Sequence, residues 1–210
     1  MCPVPLISIM QHFIIKRNGQ QTPFLSEKLA ARLRKLSYRL SPVIDIDGIV
    51  QKVITEMDEN IKSRDIDLLA SRITRNFGTH PDYKHLASRI RVARLHKETS
   101  KDLLNLIDAL KASALSITNA PSAKCLAIMR QHVNDLNGAI VHERDYALDI
   151  DALEVIEKEK LANSKGQILE RPSHLMMRLA VDRHANDDIS NADEIINTYH
   201  TLCKEQIQCR

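Results

Sequence analysis

Tryptophan is absent from this 210-residue chain, which has only four tyrosines and three phenylalanines. So few rings argue against a surface on which RNA bases stack, since that chemistry needs several aromatics side by side. Five glycines and seven prolines are too few for a collagen-like or low-complexity chain. The four cysteines, Cys2, Cys125, Cys203 and Cys209, form no C-x-x-C pair, and no His/Cys cluster has zinc-ligand spacing. Cysteines scattered in this way read as reduced thiols of a cytoplasmic protein. No apolar run approaches the ~20 residues that span a bilayer. The opening MCPVPLISIMQHF lacks a basic n-region and a small-residue cleavage site, so it is not read as a secretory signal. Both common Gly-rich phosphate loops are missing, as are G-x-S-x-G and H-E-x-x-H. His80, His85 and His96 do not fall on one helix face, so no metal site is expected. The close carboxylates Asp145, Asp149 and Asp151 read as a charged loop.

What remains is a globular composition, 43% apolar and 27% charged, with length for one or two domains. The net charge of +3 conceals an asymmetry. Residues 1–111 hold 19 Lys and Arg against 12 Asp and Glu; residues 112–210 hold 11 against 15. A basic half of this kind fits an anionic partner, and charge alone fits two differently solvated surfaces equally well.

Along the chain, HFIIKRNGQQTPF (12–24) reads as a β-hairpin. Phe13, Ile14 and Ile15 favour strand, Asn18-Gly19 suits a type I′ turn, and Pro23 limits the returning strand to an edge. Ser26 is the expected N-cap of a helix carrying Leu29, Leu33, Leu36 and Leu40, with Arg32, Arg34, Lys35 and Arg39 on its other faces. A second helix is expected over Asp45 to Met57, a connector or strand at 59–62, and a third helix capped by Ser63 and running to Phe77. Pro81 opens a further pattern through Leu110 that fits one long helix or two. The second half reads as helical but less regular: helices over Ala123 to Val133, His174 to Val181 and Asn191 to Ile207, and a mixed stretch over 138–170. Lys16 and Arg17 at the hairpin tip and Lys28 in the first turn of the next helix are the candidate anion site. Guanidinium, ammonium and helix N-terminal N–H groups together suit a polyphosphate.

IIKRNGQQTPFLSEKLAARLRKLSYRL, followed by HPDYKHLASRIRVARLHKET, resembles the ATP-cone of the class I ribonucleotide reductase large subunit in its eukaryotic and viral form. Weaker likenesses continue in LNGAIVHERDYALDI, in Glu170-Arg171-Pro172-Ser173-His174-Leu175-Met176-Met177-Arg178 and in Asp193 to Glu205. The sequence departs from the family at Ala147 to Leu161, where an aromatic stretch is missing, and at Val181-Asp182-Arg183-His184.

The resemblance implies a mainly α protein with an arm over 1–11, an ATP-cone over 12–101 and an incomplete helical region over 102–210. The cone would be a small three-stranded cap on a four-helix bundle. It implies ATP or dATP as an allosteric effector, accompanied by Mg2+. Carried over, Lys16 and Arg17 contact phosphates, and Thr22, Pro23, Phe24, Leu25, Ser26, Glu27 and Lys28 line the nucleotide. Ser63 stands at a family threonine, Asp67 lies near base and ribose, and Lys97 adds a phosphate contact. By the same resemblance the chain stops before the catalytic barrel, so no catalytic residue is expected, and Cys203 and Cys209 are assigned no role. The expected role is a regulatory module of an enzyme reducing ribonucleoside diphosphates. The alternatives are a protein that joins or inhibits a full-length reductase, or one piece of a split enzyme. Partners would be a full-length large subunit or a separate barrel chain, a small subunit, or further copies of this chain. Nucleic acid and membrane are not expected partners: ATP-cones in bacterial repressors come with a zinc ribbon, whose cysteine pairs are absent here.

Overall fold

The computed structural model describes residues 12–16, 18–113, 117–185 and 191–208, and the chain divides into two units, Met1–Arg91 and Val92–Arg210. The first unit begins with the hairpin, β1 (Phe13–Ile15) and β2 (Gln21–Pro23). Its turn closes one residue earlier than a type I′ turn at Asn18-Gly19 requires: the Gly19 N–H donates to the Lys16 carbonyl at 2.9 Å. Gly19 takes the left-handed position at φ +78°, which only glycine adopts without strain. Pro23 pairs with Phe13 on the outer strand, where its missing N–H costs no ladder bond.

Helix α1 (Ser26–Leu36) follows, then α2 (Ile46–Glu56), β3 (Asn60–Lys62), α3 (Ser63–Arg75) and α4 (Pro81–Glu98). Strand β3 joins β1 in parallel, giving the order β2-β1-β3. The expected caps are displaced by one residue. Ser26 and Ser63 are the first residues of their helices, and the N-cap positions fall on Leu25 and Lys62, neither of which makes a side-chain cap bond. Asp45, in contrast, caps α2 by accepting from the Gly48 N–H at 2.8 Å.

Helical periodicity puts Leu33, Ile49, Val53, Leu86 and Ile90 on facing sides, and all are buried. The α1–α2 connection is held by α4. Asp82 accepts from the Ser41 N–H at 2.7 Å, and the Asp45 N–H donates to the Tyr83 hydroxyl at 3.2 Å. Arg89 donates to the carbonyls of Leu36 (2.9 Å) and Tyr38 (2.7 Å), capping the C-terminus of α1. A Cβ added at Gly48 would collide with Asp45 Oδ2 and lie 2.7 Å from Phe77. Gly48→Ala therefore displaces the cap of α2. We expect a loss of about 1–2 kcal/mol, read as a fall of several degrees in the thermal midpoint of this unit.

In the second unit, the pattern that fitted one helix or two is broken after Glu98. Asp102 caps α5 (Leu103–Ala112) by accepting from the Asn105 N–H. There follow β4 (Ile117–Thr118), α6 (Ala123–Gln131), α7 (Val133–Ala139), a 3-10 turn over His142–Ala147, α8 (Ile150–Val155), a π turn over Ile156–Lys160, β5 (Asn163–Ser164), β6 (Gln167–Ile168), α9 (Pro172–His184) and α10 (Ala192–Gln208). The mixed stretch thus contributes β5 and β6 to a second small sheet, ordered β4-β5-β6, whose first strand precedes it. Tyr199, Leu106, Met129, Leu136 and Met177 are among the core residues of this unit. No helix among the described residues is long and apolar enough to cross a membrane.

A polar cluster is buried inside the second unit. His96 Nε2 lies 2.7 Å from Asp145, Ser173 donates to Asp145 at 3.1 Å, and His142 Nδ1 lies 2.8 Å from Ser173 Oγ. Burial, with Arg171 and His96 nearby, lowers His142 to about 4; burial, with His142 and Arg171, lowers His174 to about 3. The unfolded chain protonates both near their ordinary 6.5, so below that pH it holds more protons than the folded one. Stability present above pH 6.5 is therefore lost as pH falls towards 4 and 3. Asp145, raised by burial, acts in the opposite sense and returns part of it. We expect denaturant midpoints of this unit to fall steadily from pH 6.5 to 4.

Candidate functional site

The candidate residues of the first unit gather around the three strands. Lys16 is exposed just past the end of β1. Because Ile15 stands opposite Lys62 in a parallel pair, Lys16 and Ser63 leave the sheet side by side. Arg17 lies outside the described residues. Thr22 is half-buried opposite Ile14, and Pro23 is exposed opposite Phe13. Phe24 packs against the core of the unit and donates its N–H to the His12 carbonyl at 2.8 Å. Leu25 is 45% exposed at the start of α1, and Ser26, Glu27 and Lys28 form the first helical turn, Glu27 and Lys28 exposed.

Two helices therefore start beside this sheet, α1 and α3, and neither has a side-chain cap. Their first N–H groups present partial positive charge, and Lys16 and Lys28 stand near them. One turn further in, Arg32 on α1 forms an ion pair with Asp67 on α3. Arg32 is four residues past Lys28 and Asp67 four past Ser63, so the pair joins the two faces below the sheet. Asp67 is 5% exposed. Arg32 Nη2 is buried with no hydrogen-bond partner among the described residues. The sequence gives no separate signal for this use of Arg32, which reads there as one of several cations on a solvated helix face; only its four-residue spacing from Lys28 hints at it.

Lys97, exposed in the last turn of α4, belongs to the second unit. The histidines read in the sequence as a non-converging series face carboxylates: His85 Nδ1 lies 3.3 Å and His80 Nδ1 3.8 Å from Asp82, and His96 lies on Asp145. Ser173, His142 and Asp145 bring a hydroxyl, an imidazole and a carboxylate together. The cavity beside them has room for about one water molecule, so this cluster offers no space for a substrate. Cys125 and Cys203 are reduced and buried, and burial pushes both thiols up, away from the reactive thiolate form.

The arrangement of the first unit can hold an anion with a polar group attached: ammonium groups and helix N-termini at the rim, and a carboxylate–guanidinium pair beneath. Residues 12–98 match the ATP cone domain family. The chain is 35% identical over 202 residues to the ribonucleoside-diphosphate reductase large subunit of Vaccinia virus (strain Copenhagen), covering 92% of this chain and 25% of that protein. It is 34% identical over 196 residues to the ribonucleoside-diphosphate reductase large chain of Schizosaccharomyces pombe, covering 90% of this chain and 24% of that protein. With the ribonucleoside-diphosphate reductase large subunit of Danio rerio it shares 33% over 201 residues, covering 91% of this chain and 24% of that protein. The chain thus spans about a quarter of the length of these relatives.

Proposed function

We propose that this chain, whose residues 12–98 match the ATP cone domain, binds ATP or dATP in its first unit and serves as the allosteric regulatory part of a ribonucleoside-diphosphate reductase. The observation that carries this reading is the family match over the segments that hold Lys16, Lys28, Ser63 and Asp67. In this reading the ammonium groups of Lys16 and Lys28, the guanidinium of Arg17 and the uncapped starts of α1 and α3 receive the triphosphate. The stretch from Thr22 to Glu27 lines the nucleotide, and Ser63 offers a hydroxyl at its edge. Asp67 accepts from a sugar hydroxyl or an exocyclic amine. The nucleotide-binding module runs to residue 101, in the short link between Glu98 and the Asp102 cap.

Among the described residues no three or more His, Cys, Asp or Glu side chains are grouped to hold a metal. Mg2+ would therefore arrive on the phosphates, where it neutralises charge that the lysines do not reach. The likeness of residues beyond 101 to reductase large subunits supports a helical region that accompanies the cone, with the reductase subunits as partners.

Ligand binding to the folded state raises stability by about 2.7 kcal/mol at a hundred times Kd. Thermal unfolding in rising ATP should show a saturable increase in midpoint. A midpoint unmoved at millimolar ATP would reject the proposal.

A further inference from the structure

The ion pair beneath the proposed nucleotide site leaves one donor unused. Arg32 spends Nη1 on Asp67, and its Nη2 is buried without an acceptor among the described residues. A buried charged donor without an acceptor is costly, and its presence beside a carboxylate on the floor of a site points to an acceptor supplied from outside the chain. Base ring nitrogens and sugar oxygens are such acceptors, while the exocyclic amine and the hydroxyls are donors that suit Asp67. Phosphate, by contrast, is the chemistry of the rim, where Lys16 and Lys28 are exposed.

We propose that Arg32 is a recognition residue for the nucleoside: Nη1 positions the Asp67 carboxylate, and Nη2 donates to an acceptor on the base or sugar. This rests on the nucleotide reading above and adds to it the group that separates a nucleoside triphosphate from a bare polyphosphate. The guanidinium geometry matters, because its planar fork serves two acceptors at fixed angles, whereas a lysine ammonium in its place supplies a single point charge.

The test is a calorimetric comparison of ATP with inorganic tripolyphosphate on the whole chain and on the variants Arg32→Gln, Arg32→Lys and Asp67→Asn. The unsubstituted chain should bind ATP more tightly than tripolyphosphate. Arg32→Gln should lower ATP affinity about tenfold or more while leaving tripolyphosphate unchanged. Arg32→Lys, which keeps a cation against Asp67 if the glutamine variant folds poorly, should show the same selective loss. Arg32→Gln combined with Asp67→Asn should lose no more than the larger single effect. An equal weakening of ATP and tripolyphosphate would mark Arg32 as merely structural and overturn the proposal, as would unchanged ATP affinity in both Arg32 variants. Failure of the unsubstituted chain to bind either ligand overturns the nucleotide reading itself, whereas tripolyphosphate bound as tightly as ATP overturns the role of Arg32 together with the nucleoside contact of Asp67 and leaves only the phosphate rim.

Discussion

Replacing Lys16 and Lys28 together with alanine should weaken ATP binding by about two orders of magnitude and leave folding intact. Both side chains are exposed in the described structure, so neither belongs to the core of the first unit. A hydrogen bond to a charged group contributes ~1.5–3 kcal/mol, and solvent screening at an exposed rim favours the lower end for each lysine. Two such losses give about 3 kcal/mol, or roughly a hundredfold in Kd. The remaining affinity should depend less steeply on salt, because fewer cations then face the phosphates. Lys35→Ala is the control. It removes an equally exposed cation from the last turn of α1, away from the helix start, and should change affinity by no more than about twofold. Lost affinity in that control would mean that overall charge, rather than a built site, attracts the nucleotide.

Glu170→Ala should cost the second unit about 3–5 kcal/mol, more than any surface change in it. Glu170 is fully buried. Its Oε1 accepts from Arg178 Nη2 and from the Ala162 N–H, both at 2.7 Å, and its Oε2 accepts from Arg178 Nε at 3.2 Å. Arg178, itself buried, also donates to the Lys160 carbonyl at 3.1 Å. Removing the carboxylate strands a guanidinium in the core and orphans the Ala162 N–H. The expected fall in the thermal midpoint of this unit is on the order of 10–20 °C. The exposed pair of Arg130 with Asp108 makes the contrast, for its loss through Arg130→Ala should cost less than about 1 kcal/mol. Equal effects of the two substitutions, measured in one calorimetric series, would refute the distinction.

Much of the first unit is legible in the sequence because its signals are local. Asn18-Gly19, Pro23, Pro81 and the leucines at helical spacing fix the hairpin, its edge strand and the helices that bury Leu29 and Leu33. The details that escape are those settled by atoms far apart in the chain. Ser26 and Ser63 have the composition of caps, yet the helices begin on them, because the backbone turns one residue earlier as it leaves β2 and β3. The pairing of Arg32 with Asp67 crosses 35 residues, and no periodicity encodes it. In the second unit the strands Asn163–Ser164 and Gln167–Ile168 are two residues each, too short to alternate visibly. Within the mixed stretch Glu157 is buried despite its charge, with Arg94 Nη2 donating to it at 3.3 Å, a contact across 63 residues that no local pattern encodes. Of the proposed site, the lysines and the acidic residue are readable through the family pattern, whereas Arg32 becomes distinct only once α1 and α3 are set beside each other.

The most direct test of nucleotide binding by the first unit is calorimetric titration of ATP into the whole chain at two salt concentrations. The expected result is a single saturable event, weaker at the higher salt and about a hundredfold weaker in the Lys16→Ala, Lys28→Ala double variant. No saturable heat up to millimolar ATP, or an affinity indifferent to the two lysines, would contradict it.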